Sequence, residues 1–128
     1  MSERARGEFE VKLAPQAPDG DSGVGRMTID KSFAGDLVGT SLGQMLSVMG
    51  AVQGSAGYVA MERFTGTLAG RSGSFALQHK GVMDRGAPFL EILVVPDSGT
   101  DQLTGISGRL DIVIEGKKHS YVLEYSLP

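Results

Sequence analysis

A carboxylate and an imidazole bracket the stretch "ERFTGTLAGRSGSFALQH", with Glu62 at its start and His79 at its end. Held together, such a pair can move a proton, anchor the polar head of a ligand in an apolar pocket, or fix strand register through a hydrogen bond. The intervening residues alternate as two strands about a turn. With Gly70-Arg71 as a type II′ loop, glycine takes the first central position and Glu62 lies directly opposite His79. Phe64, Leu77 and Phe75 then share their face, with Gly66 leaving room for the Phe75 ring, while Arg63 and Gln78 take the wet face. Glu62 and His79 are thus the catalytic candidates. Burial raises the pKa of the carboxyl and the imidazole lowers it, and the sequence leaves the balance open.

Other residues join the same interior by alternation. Tyr58, four residues before Glu62, brings a hydroxyl that needs a partner if buried. Lys31 shares a face with Met27, Ile29 and Phe33, and is expected to snorkel to the mouth of the fold rather than stay inside. Gln44, placed in register with Met27, is a further interior polar group, and Tyr121 and Tyr125 join Phe64, Phe75 and Leu77 as apolar walls. His119 falls near a hairpin end, at the rim. Two histidines forty residues apart, with no carboxylate at ligand spacing, make no zinc motif, and the glycines of "GTLAGRSG" lie in a hairpin, where they cradle no phosphate. "GRSGSF" lacks the spacing of a nucleophile elbow. No metal and no organic cofactor is expected.

The elements that must carry these residues are all strands. "GEFEVKL" at 7–13 alternates, the Pro- and Gly-containing segment 14–24 reads as a surface loop, and "RMTIDKSF" alternates again. "GDLVGTSLGQMLSVMG" has too many glycines for a helix and is a strand. Turns at Arg85-Gly86 and Gly116-Lys117 place Lys80 opposite Glu91, His79 opposite Ile92, Arg109 opposite Glu124 and Glu115 opposite Lys118. These charged residues read as exposed cross-strand pairs, while Leu110, Ile112, Ile114, Tyr121, Leu123 and Tyr125 turn inward. Eight antiparallel strands with one apolar face close most simply into an up-and-down β-barrel, with a two-sheet sandwich as the alternative. The chain reads as all-β and as a single domain over 1–128. Phe89, Leu93 and Val95 fall on the outer face and point either to a homo-oligomer contact or to cover by the 14–24 loop.

Composition bounds the partners. A net charge of −3 provides no basic footprint for nucleic acid or for an anionic membrane surface. There is no cysteine for a disulfide, a thiolate site or a thiol nucleophile. The N-terminus lacks a signal-like apolar run, and no stretch is long and apolar enough for a membrane helix, so a cytoplasmic location is expected. The six methionines fit an adaptable core.

The stretch "YVAMERFTGTLAGRSGSFALQHKG", with "KSFAGDLVG" before it and "SGTDQLTGISG" and "YVLEYSL" after it, resembles the bacterial domain of unknown function 3224 family over nearly the whole chain. Tyr58, Glu62, Arg63, Gln78 and His79 match its pattern as they stand. Relatives carry more acidic residues where this chain has Val38, Thr40 and Gln44, so the resemblance does not imply a Lys31–carboxylate pair inside this barrel. The family is similar in fold to the allene oxide cyclase barrel, which implies a barrel with room for an apolar, mobile molecule; fold alone carries no chemistry. Three functions follow as expectations. The first is a barrel that binds a small apolar molecule, with Glu62, His79 and Tyr58 as its polar interior. The second is a cofactor-independent cyclase or isomerase in which Glu62 is the acid or base and His79 tunes it. The third is a filled barrel that serves as an interaction or scaffold protein.

Overall fold

The computed structural model describes residues 2–17 and 22–128. Period-two alternation of buried and exposed residues runs through eight strands: β1 (Glu3–Gln16), β2 (Gly25–Gly35), β3 (Leu37–Met49), β4 (Ala56–Leu68), β5 (Arg71–Asp84), β6 (Ala87–Val94), β7 (Ser107–Glu115) and β8 (Lys118–Ser126). A 3-10 turn at Asp101–Leu103 interrupts the β6–β7 connection. Each strand pairs antiparallel with the next and β8 returns to β1, so the all-β chain is a closed barrel rather than a sandwich. Among the described residues no helix is long and apolar enough to cross a membrane.

The first strand is longer than its alternation implies. β1 runs from Glu3 to Gln16 and takes in Ala14, Pro15 and Gln16 from the segment expected as a loop, of which 18–21 lie outside the described residues. Pro15 is tolerated because β1 pairs with β8 only as far as Phe9, so the proline's missing N–H falls on an edge.

The β4–β5 turn differs by one position from the expected one. Ala69 and Gly70 are its central residues, both with positive φ (49° and 85°), which is a type I′ turn. Glu62 therefore faces Leu77 and His79 faces Ala60. Partners move by two residues, an even number, so every side chain keeps its face. The other two hairpins have the expected registers, with Lys80 opposite Glu91 and Arg109 opposite Glu124. In the β7–β8 hairpin the charges nonetheless find other partners: Arg109 bonds Asp111 along its own strand at 3.1 Å, and Lys118 reaches Glu8 on β1 at 2.8 Å.

One end of the barrel is packed solid. Phe33 meets Phe64 and Tyr121 edge-on at 5.6 and 5.5 Å, and Phe75, Leu77, Leu123 and Tyr125 complete a layer with almost no exposure. The loop after β6 folds beneath it and inserts Leu103 and Ile106 as a plug. Gly73 admits this loop, because a Cβ there would meet the Thr100 carbonyl oxygen. The Tyr121 hydroxyl latches the β2–β3 corner: it accepts the Leu37 N–H at 2.8 Å and donates to the Ala34 carbonyl at 2.8 Å. Tyr121→Phe strands the buried Leu37 N–H, and urea unfolding is expected to register a loss of about 1–3 kcal/mol.

The other end is loosely closed. β6 and β7 share the single pair Leu93–Arg109, and the β1–β8 seam stops at Phe9–His119. Leu13, Leu90 and Ile114 point inward by strand alternation, yet they are 48%, 38% and 62% exposed. Ile114 thus faces the interior as expected but is not buried, because β7 has parted from β6 at that height.

Candidate functional site

Four consecutive strands each place one polar side chain at the same height on the inner wall. Lys31 comes from β2, Ser41 from β3, Glu62 from β4 and His79 from β5, and all four are buried. Glu62 is the hub. Its Oε1 accepts the Ser41 hydroxyl at 2.7 Å, while its Oε2 accepts Lys31 Nζ at 2.8 Å and His79 Nε2 at 2.6 Å. His79 reaches Glu62 along the diagonal that the type I′ register creates, two residues beyond the directly facing Leu77. Lys31 Nζ also lies 5.1 Å from the centre of the Phe9 ring, a cation–π contact. Gly43 faces Glu62 from β3, where a Cβ would overlap the Met61 carbonyl and the Glu62 backbone, so β3 and β4 can close tightly beside the carboxylate.

The electrostatics follow from this geometry. Burial raises the Glu62 pKa, but the His79 hydrogen bond and the charges of Lys31 and His79 outweigh it and bring it from 4.5 down to about 2. Glu62 is therefore a carboxylate at neutral pH and accepts only, so His79 must carry its proton on Nε2. Nδ1 is the ring nitrogen that Glu62 leaves unused. The Tyr58 ring stands 6.4 Å from that of His79 and covers Gly81. Its phenol pKa is raised by burial and by the Glu62 charge, which keeps it protonated.

Three placements differ from those expected. Lys31 does not snorkel: its ammonium is buried and paired, because the hub carboxylate lies within reach across β3. Gln44 is not an interior group. Met27 pairs with Met45, one residue from the expected register, and this odd slip turns Gln44 to solvent and brings Ser41 inside. Phe64, Phe75, Leu77, Tyr121 and Tyr125 are inward as expected but form the packed layer below the polar cluster, and the Tyr121 hydroxyl is spent on backbone. Of the remaining residues, Arg63 and Gln78 are exposed on the outer face, and His119 stands at the rim against Phe9, with ring centres 5.3 Å apart. Ser41 was legible only through the β2–β3 register: it sits at an inward position between Leu37 and Met45. Among the described residues no three His, Cys, Asp or Glu side chains gather as a metal-ligand set.

Known proteins resemble this chain in sequence and fold. The family model "Protein of unknown function (DUF3224)" matches residues 5–125. A crystal structure of a protein with unknown function from the DUF3224 family, from Shewanella oneidensis MR-1, superposes with a TM-score of 0.93 at 46% sequence identity, covering 100% of this chain and 98% of that one. No curated protein matches the chain.

Proposed function

This chain belongs to the DUF3224 family, and from that premise we propose that its barrel binds a small apolar molecule with a hydrogen-bonding head at the loosely closed end. The observation that carries the reading is the exposure of interior-facing Leu13, Leu90 and Ile114 above a polar floor built from Lys31, Glu62 and His79. Inward apolar side chains in contact with water favour an occupant that covers them. The floor offers that occupant His79 Nδ1, with the Tyr58 ring beside it. The packed layer at the opposite end confines the ligand to the upper half of the barrel, so its apolar part can be only modest in size.

A second reading, a cofactor-independent cyclase or isomerase, is supported by one feature with its roles exchanged. Glu62 is ionised and fully hydrogen-bonded, which makes it a poor acid or base, whereas it orients His79 so that Nδ1 can take a proton. In that case His79 acts and Glu62 positions it.

The chain has only two histidines, so imidazole nitrogen spectra report directly on the site. A panel of apolar carboxylic acids, ketones and alcohols is titrated into the protein while the His79 and His119 signals are followed. The expected result is a saturable shift of the His79 Nδ1 signal by at least one class, weakened by Ile114→Asp at the mouth. Shifts confined to His119, or none at all, would falsify the reading. Recovery of the bound compound unchanged separates binding from catalysis.

A further inference from the structure

β6 and β7 are matched for more pairing than they make. Their one pair, Leu93–Arg109, extended along both strands, sets Glu91 opposite Asp111, Leu90 opposite Ile112, Phe89 opposite Val113 and Pro88 opposite Ile114. The same register ends with Ala87 opposite Glu115, the last residues of the two strands at that end. Faces agree as well, since Leu90 and Ile112 both turn inward while Phe89 and Val113 both turn outward. The backbone of β6 is also aimed correctly. Val95, half-buried beyond the end of β6, donates its N–H to the Ala76 carbonyl at 2.9 Å, so the odd-numbered residues of β6 bond to β5 and Leu90 turns its N–H and C=O toward β7. Yet above Leu93–Arg109 none of these pairs is formed. Two features of the sequence oppose them. Glu91 and Asp111, both exposed, would bring like charges face to face, and Pro88 has no N–H to offer Ile114.

We propose that the β6–β7 seam is a side gate to the barrel interior, held open by Glu91 against Asp111 and able to zip shut when that repulsion is removed. As the route to the polar floor, the gate rests on the binding reading above. Leu90 faces Gly81 and Ile92 faces His79 across β5–β6, so the gate opens one strand away from the imidazole, beside a residue with no side chain. The β7–β8 tip is free to move toward β6, because β8 leaves β1 at His119 and beyond it adds the exposed Lys118–Glu8 ion pair. Closure would pair Leu90 with Ile112 and Phe89 with Val113, and these apolar contacts oppose the charge repulsion. Lys80 faces Glu91 from β5, and Arg109 is bonded to Asp111 at 3.1 Å, so the bias toward the open form is small and one substitution is enough to reverse it.

Amide hydrogen exchange on the free protein tests the gate without any ligand, with circular dichroism to confirm that each variant is folded. The Leu90, Ile112 and Ile114 amides are expected to exchange fast in wild type and at least ~10-fold more slowly in Asp111→Lys, which sets opposite charges across the seam. Adding Glu91→Lys to that variant restores like charges and should restore fast exchange. Pro88→Val, which supplies the missing N–H, should slow the same amides. Access to the interior is read with 4-hydroxy-TEMPO, a small uncharged paramagnetic probe. Its broadening of the His79 ring signals should fall roughly threefold or more in Asp111→Lys, while that of the exposed Met49 methyl holds. Amides already protected in wild type, or unmoved by Asp111→Lys and Pro88→Val alike, overturn the gate. A seam that closes without shielding His79 overturns its role as the way in. Closure and shielding as expected, with no His79 shift from any apolar compound of the panel, would overturn the binding reading and leave the gate standing.

Discussion

Glu62→Leu is expected to lower the free energy of unfolding by about 3–5 kcal/mol, because it leaves the Lys31 ammonium and the His79 imidazole buried without their common counterion. The Ser41 hydroxyl loses its acceptor as well. Much of this cost comes from the charge left behind, so it should be recoverable. Lys31→Met/Glu62→Leu removes the pair together and is expected to return to within about 1 kcal/mol of wild type, or to exceed it, since apolar replacements of buried ion pairs are often neutral or stabilising. Urea unfolding at neutral pH of wild type, both single variants and the double variant completes the cycle. Should the double variant be no better than Glu62→Leu, the coupling through the carboxylate is absent. A double variant more stable than wild type would mean that the cluster is kept for a purpose other than stability, which is the condition a binding or catalytic site would meet.

The second large effect is on acid stability. The carboxyl of Glu62 titrates near 4.5 when unfolded and at about 2 in the fold. A group whose pKa is lowered by folding contributes fully above its unfolded pKa and loses that contribution as pH falls through its folded pKa. The window therefore runs from about pH 4.5 down to about pH 2, and the contribution at stake is about 3 kcal/mol. Other carboxylates also protonate in this range, so the informative quantity is the difference between wild type and Glu62→Gln. Unfolding free energies at a series of pH values are expected to differ most near neutrality and to converge progressively as pH falls from about 4.5 to about 2. Parallel curves would show that Glu62 is not the titrating group.

The hub pair itself was legible in the sequence. Glu62 and His79 have the same parity about a two-residue turn, so they share a face whether the turn is centred on Gly70-Arg71 or on Ala69-Gly70. That insensitivity explains why the direct pairing expected between them proved to be a diagonal one while the hydrogen bond is there. The β2–β3 connection offers no such protection. A slip of one residue exchanged Gln44 for Ser41, because an odd shift turns every side chain to the opposite face.

Alternation of apolar and polar residues, together with glycines at the hairpin turns, determined that the chain forms eight antiparallel strands and which residues of the β4–β5, β5–β6 and β7–β8 hairpins face inward. Both are local properties, fixed by the period of a pleated strand and the φ angles a tight turn requires. Tertiary structure alone decided that the sheet closes into a barrel rather than a sandwich, that Lys31 and Ser41 share Glu62 with His79, and that one end of the barrel is filled while interior residues at the other meet water. These depend on register between strands and on closure of the whole sheet. A buried lysine is stable only when its counterion is delivered from another strand at the same height, and no single segment of the sequence specifies that meeting.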